Sequence, residues 1–188
     1  PIVLRTARDT FQFDPHAARL LSLRSRATPE QEFIGGRADD PAFVLQFLDA
    51  ANSYRQLSST DAAQVEVQVR DAGGGTTLVA CYRQLGGLPI DVTCSVRATE
   101  QDRFSHWSLT VDNRAGLRIT DVQFPFLVVP YNLGGAPGSE ALLRPLNHGS
   151  LLRAPRPQDL EPDWPQAWQL LPENGDNMHY PGLTVAQF

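Results

Sequence analysis

The sequence contains no lysine, and all 16 of its basic residues are arginine. Every cation therefore keeps its charge at physiological pH, and no lysine is available to form a Schiff base. The net charge of -5 disfavours a nucleic-acid partner, because phosphates require a clustered basic surface. No apolar run is long enough to cross a bilayer, so no membrane association is expected.

Only two cysteines are present, which excludes a cysteine-only zinc site and a disulfide-rich scaffold. Cys81 and Cys94 flank residues 85–89, and a symmetric hairpin would place them opposite each other. Two buried thiols are favoured over a cross-strand disulfide, since free cysteine is among the most buried residue types. The apolar neighbours on the shared face would be Val79, Val92 and Val96.

Familiar catalytic motifs are also missing. The 4 histidines show no metal-ligand spacing, and the sequence has no HExxH motif, nucleophile elbow, P-loop or GxGxxG fingerprint. A glycosidase requires two carboxylates facing each other across a sugar, and no spacing here fixes such a pair. The sequence therefore predicts no catalytic residue, no metal site and no cofactor. His16 and His106 are predicted to be structural.

Period-two alternation predicts strands through the first two thirds of the chain. Residues 10–14 and 19–24 predict a hairpin, and residues 65–70, 76–84 and 90–98 predict an antiparallel meander. The buried face of the first hairpin is predicted to consist of Phe11, Phe13, Leu21 and Leu23.

The meander continues through residues 107–122. Trp107, Leu109 and Val111 are predicted to point one way, and the intervening polar residues the other way. Residues 124–129 are nearly all apolar, which predicts a strand buried on both faces or a strand that passes between two layers. Residues 40–49 fit a strand or a helix. The predicted fold is all-β: one domain over 1–188, a large two-layer antiparallel β-sandwich with long irregular loops in its C-terminal third.

That last third is rich in glycine and proline, a composition typical of binding loops. Its one predicted helix is short, over residues 165–171. Trp164, Trp168 and Tyr180 offer flat amphipathic rings on which sugars stack, although such rings also pack loops onto sheets. His148 and His179 are further loop candidates. The final residues read as a strand that has just begun, so we expect a longer protein.

Three segment pairs resemble the amino-terminal β-sandwich of large bacterial glycoside hydrolases, a supersandwich related in shape to the galactose-mutarotase fold. The matching segments are 10–15 with 19–23, 109–113 with 119–125, and 180–182 with 186–188. The resemblance implies that the catalytic acid and base belong to a separate (β/α)₈ barrel of the same polypeptide. The sequence lacks the His-Pro-Tyr type motif of a true mutarotase, so mutarotase activity is not expected.

The resemblance implies an accessory domain of a glycoside hydrolase that supports the barrel and lends a loop to carbohydrate binding. Carbohydrate and the barrel are the expected partners. The expected carbohydrate-binding residues are Trp164, Trp168, His179 and Tyr180. Two alternatives remain: a stand-alone carbohydrate-binding module, and a structural domain that assembles through an exposed sheet edge.

Overall fold

The computed structural model describes residues 1–35, 39–49 and 51–129, together with three short strands nearer the C-terminus. The chain divides into two compact units, Pro1–Tyr131 and Asn132–Phe188, and the prediction of a single domain over 1–188 stays a prediction. The strands are β1 (Ile2–Arg5), β2 (Asp9–Phe13), β3 (Leu20–Ser25), β4 (Val44–Leu48), β5 (Tyr54–Ser58), β6 (Gln64–Ala72), β7 (Gly75–Arg83), β8 (Ile90–Thr99), β9 (His106–Asn113), β10 (Arg118–Gln123), β11 (Ala141–Arg144), β12 (Ser150–Arg153) and β13 (Ala186–Gln187).

The all-β, antiparallel prediction is confirmed. The first unit contains sheet A in the order β1-β2-β3, sheet B in the order β10-β4-β5 and sheet C in the order β6-β7-β8-β9. Among the described residues there is no α-helix, only the 3₁₀ turns Ser59–Asp61 and Leu85–Gly87. In the second unit, β11 pairs antiparallel with both β12 and β13. The predicted helix over 165–171 lies outside the described residues.

Sheet A contains the predicted first hairpin, with one correction. Phe11 and Phe13 are buried as expected, but Leu21 is 39% exposed. A β-bulge shifts the register, because Gln12 pairs with Ser22 whereas Phe13 pairs with Leu20. The extra residue turns Leu21 away from the core and leaves Leu20 packed against it.

Sheet B resolves the ambiguity of residues 40–49 in favour of a strand, Val44–Leu48. The prediction that residues 124–129 form a strand buried on both faces is wrong. That segment is not a strand, and Leu127 and Val129 are 41% and 49% exposed. Phe124 packs on the core, whereas Leu127 and Val129 keep large exposed fractions, so the apolar run is not buried on both faces.

Sheet C is the predicted meander as far as β9. Residues 118–123, expected to continue it, pair instead with β4 in sheet B. Sheet C also corrects the placement of the cysteines. Cys81 pairs with Thr93, whereas Cys94 pairs with Ala80, so the two thiols lie on opposite faces of the sheet. Both are free. The actual pairing differs by one residue from the symmetric hairpin expected, and such an offset moves a side chain to the other face of the sheet. Cys81 therefore does not share an apolar face with Cys94.

Buried side chains from all three sheets belong to one hydrophobic core, an arrangement consistent with a β-sandwich. The Trp107 ring contacts Phe11, Phe13 and Phe124, with centroid separations of 6.2, 5.6 and 6.0 Å. Elsewhere in the core, Phe43 meets Tyr82 edge-on at 5.0 Å. The core therefore covers the inner face of sheet C, and the outer face of the sheet lies on the side away from the core.

Candidate functional site

The residues predicted to bind carbohydrate, Trp164, Trp168, His179 and Tyr180, lie outside the described residues, as does His148. Their role stays a prediction. The sequence predicts a structural role for His106, yet its side chain is exposed at the first residue of β9.

The outer face of sheet C carries a regular array of polar side chains across four strands, and we call it the polar face. Its members alternate with core residues along the strands, and each is exposed or half-buried. They are Gln64, Glu66, Gln68 and Arg70 on β6, Thr77, Val79, Cys81 and Arg83 on β7, Asp91, Thr93, Ser95 and Arg97 on β8, and His106, Ser108, Thr110 and Asp112 on β9. Only Val79 and Cys81 are apolar.

Hydroxyl groups occupy the middle of the polar face. Ser95 and Ser108 are direct cross-strand partners, and their Oγ atoms lie 2.8 Å apart. One row further along the strands, Thr93 pairs with Thr110 and its Oγ1 donates to the Cys81 Sγ at 3.8 Å. Each hydroxyl both donates and accepts hydrogen bonds. The centre of the polar face thus presents neutral, two-way hydrogen-bonding groups to a ligand.

One end of the polar face holds a network of ion pairs. Asp91 Oδ2 accepts from Arg114 at 2.7 Å and from Arg83 at 3.1 Å, and Asp91 Oδ1 accepts the Gln84 N–H at 3.0 Å. Arg114 also lies 3.1 Å from Asp112. The Gln84 N–H above all, and then the two arginines, hold the pKa of Asp91 below its ordinary value. The carboxylate therefore stays ionised at neutral pH.

Asp91 and Asp112 are direct partners across β8 and β9, a juxtaposition that sequence spacing did not reveal. A carboxylate pair of this kind invites comparison with a glycosidase, in which one member must be a protonated acid with a raised pKa. Asp91 is shifted in the opposite direction, and arginines bind both carboxylates. The pair is therefore an ion-pair network and not an acid–base couple.

A small cavity lies on the other side of sheet C, within the core. Its volume is about 20 Å³, and Leu78, Cys94, Trp107, Phe124 and Leu127 are among its lining residues. That volume is room for about one water molecule, and an apolar lining offers water few partners. Burial raises the pKa of Cys94 to about 12, so its thiol stays protonated and is a poor nucleophile. The cavity is a packing defect and not a ligand site.

In the described part of the chain, no group of three or more histidine, cysteine or carboxylate residues is arranged to hold a metal ion. In the same part of the chain, no helix is long and apolar enough to span a membrane.

The sequence matches no known protein-family model, and no curated protein is significantly similar to it. Its candidate site is therefore defined by its own residues and geometry.

Proposed function

We propose that this chain is an accessory β-domain of a glycoside hydrolase, and that its polar face is a carbohydrate-contacting surface. The open array of hydroxyl, amide, guanidinium and carboxylate groups across β6 to β9 carries the proposal. Sugars expose hydroxyl groups in all directions, and such groups are matched by side chains that both donate and accept. A flat, solvent-exposed face suits an extended glycan better than a small enclosed molecule.

Two of the three segment pairs that carry the family resemblance lie in the described part. Residues 10–15 and 19–23 belong to the β2–β3 hairpin, and residues 109–113 and 119–125 belong to β9 and to β10 with the residues just after it. Asn113 Nδ2 donates to the Leu117 carbonyl at 2.6 Å and closes the turn between those two strands. These observations support a scaffold of the glycoside-hydrolase sandwich type.

Catalysis is assigned to a separate part of the polypeptide, a (β/α)₈ barrel. The one carboxylate pair described on the polar face, Asp91 and Asp112, is bound by Arg114 on both members and is therefore not arranged as a catalytic acid and base. The domain's own task is to support the barrel and to hold carbohydrate near it.

A glycan array tests the proposal. The wild-type protein should bind a subset of neutral or acidic oligosaccharides. The double variant Ser95→Ala/Ser108→Ala should bind the same glycans about 5- to 30-fold more weakly, because two hydrogen-bonding hydroxyls are lost. Thr120→Ala is the matched control, since Thr120 is an exposed strand hydroxyl in sheet B. Unchanged binding by the double variant, or no binding of any glycan by the wild type, would refute the proposal.

A stand-alone carbohydrate-binding module gripping glycans with Trp164 and Trp168 is the alternative. In that case Trp164→Ala and Trp168→Ala weaken glycan binding with little change in melting temperature, while the serine variants bind normally.

A structural role in assembly is favoured by one observation. Strand β6 forms one edge of sheet C, and Val69 on it is 46% exposed. An unpaired edge strand is a template for pairing with another chain. Sedimentation velocity discriminates this role, because assembly through β6 makes the sedimentation coefficient rise with protein concentration.

A further inference from the structure

The end of the polar face opposite Asp91 is cationic. In cross-strand order, Arg70 pairs with Thr77, Thr77 pairs with Arg97, and Arg97 pairs with His106. We call these four residues the cationic row. Direct cross-strand neighbours have Cβ atoms about 4.5–5.5 Å apart, so Arg97 lies close to both Thr77 and His106. Three basic side chains thus share one row of the sheet.

The arginines of this row differ from those at the other end. Arg83 and Arg114 are both bound to Asp91. Within the described residues, neither Arg70 nor Arg97 forms an ion pair, and Arg70 Nη2 donates only to the neutral Gln68 Oε1 at 2.8 Å. Exposed guanidinium groups without a carboxylate partner retain their capacity to bind an external anion.

Carboxylates near the cationic row lie outside it. Asp71 follows Arg70 on the opposite face of β6, where it accepts from Thr76 Oγ1 at 2.7 Å. Glu100 and Asp102 are exposed in the loop after β8. On the polar face itself the nearest acid along β6 is Glu66, four residues from Arg70, or about 13 Å along the strand. The row between them, Gln68 to Ser108, is uncharged.

We propose that the cationic row binds the carboxylate of a uronic acid at one end of an otherwise neutral glycan lying across the polar face. This inference rests on the proposed function and specifies the class of glycan that the polar face would bind. A guanidinium group presents two parallel N–H donors that match a carboxylate. The sugars that follow the uronic acid lie over the neutral hydroxyls of Ser95 and Ser108.

The charge gradient along the face argues against a uniformly charged polymer. Glu66, Asp91 and Asp112 lie on the half of the face away from the cationic row. A nucleic acid carries a phosphate at every nucleotide and would place negative charge over those carboxylates. The net charge of -5 opposes the same partner. A ligand with its negative charge at one end avoids this repulsion.

The test uses a panel of uronic-acid-terminated oligosaccharides and the same compounds after chemical reduction of the carboxyl to a primary alcohol. Wild-type protein should prefer the acidic member of the pairs it binds, and added salt should weaken that preference. Arg97→Gln and the double variant Arg70→Gln/Arg97→Gln should weaken acidic-glycan binding by about 10- to 100-fold. Binding of the reduced glycans should change little.

Arg118→Gln is the matched control, because Arg118 is an exposed strand arginine in sheet B, and melting temperatures verify that all variants fold. If the reduced glycans bind as well as the acidic ones and Arg97→Gln has no effect, the inference is wrong and the proposed function survives. If no member of either set binds, the inference is wrong, and the glycan array decides separately whether the proposed function survives. Tighter binding of single-stranded DNA or of anionic lipid vesicles than of acidic glycans also overturns the inference.

Discussion

The Tyr82 hydroxyl donates a hydrogen bond of 2.7 Å to the Ala17 carbonyl and ties β7 to the turn between β2 and β3. Tyr82 is 1% exposed, and burial raises the pKa of its hydroxyl, which therefore stays protonated and able to donate at neutral pH. Asp14 shapes the same turn, because its Oδ1 accepts the N–H groups of His16 and Ala17 at 2.7 and 2.9 Å. One buried phenol thus joins sheet C to sheet A.

Replacing Tyr82 by phenylalanine tests that link. The Phe43 ring contact is retained, but the Ala17 carbonyl loses its side-chain donor, so Tyr82→Phe should lower the free energy of unfolding by about 1–3 kcal/mol. Urea denaturation measures the change. Tyr54→Phe is the control, because Tyr54 is 64% exposed. Equal stability of the two variants would contradict the assigned role of the hydroxyl.

Glu32 should make stability depend on pH. Its carboxylate accepts from Ser22 Oγ, the Leu23 N–H, Arg24 Nε and the Ile34 N–H, at 2.5, 2.8, 3.0 and 3.1 Å. Burial acts to raise the pKa of Glu32, but the hydrogen bonds outweigh it and hold the pKa below the ordinary value of 4.5. A lowered folded-state pKa means that the stabilisation is present above pH 4.5 and is lost as the pH falls below it.

Glu32→Gln should therefore cost about 1–3 kcal/mol of unfolding free energy at pH 7. The difference from wild type should shrink as the pH is lowered through 4.5. Glu30→Gln, an exposed change in the same segment, controls for loss of charge. A difference between wild type and Glu32→Gln that stays constant from pH 7 to pH 3 would refute this assignment.

The two thiols should react at very different rates. Cys94 is 4% exposed and burial raises its pKa to about 12, whereas Cys81 is half-buried on the polar face. A maleimide added to native protein should label Cys81 and leave Cys94 unmodified until the protein unfolds. Mass spectrometry of peptides reads out both sites, and Cys81→Ser should abolish native labelling. A disulfide, or equal labelling of both cysteines, would show that the register of β7 and β8 is wrong.

Adjacent glycines in the β7–β8 loop offer a matched comparison. Gly86 and Gly87 have φ of +58° and +74°, where an L side chain is strained by about 1–2 kcal/mol. A Cβ at Gly86 would also lie 2.6 Å from Leu57 Cδ2, whereas a Cβ at Gly87 would meet nothing within 4 Å. Gly86→Ala should therefore destabilise the protein more than Gly87→Ala in thermal unfolding. In a double-mutant cycle, Gly86→Ala should cost less stability when Leu57 is also alanine, because the methyl group that the new Cβ would meet is gone.

Alternation was sufficient to predict most strands, because a strand with one buried face repeats every two residues. The pattern at Trp107, Leu109 and Val111 was interpreted correctly for that reason. Alternation did not predict which side chains are buried where the register between strands, or the packing of other segments on the strand, decides burial. A bulge turned Leu21 outward, a one-residue offset separated Cys81 from Cys94, and the apolar run after Gln123 did not reveal which side chains are covered.

The candidate site was less accessible to sequence analysis. Ser108, Thr110 and Asp112 were recognised as outward-facing, but polar residues on a strand ordinarily indicate only a solvated face. They become part of a site when the strand order places Ser95 beside Ser108 and Arg97 beside His106. That adjacency depends on the register between strands, which composition and spacing do not encode.

The most direct test of the polar face is an amide chemical-shift map. The 20.7 kDa protein, labelled with ¹⁵N, would be titrated with the oligosaccharide that binds most tightly on the array. The account predicts that the largest shifts lie in β7, β8 and β9, centred on Ser95 and Ser108 and extending to Arg97. Shifts confined to residues outside sheet C, with these strands unperturbed at saturating glycan, would contradict it.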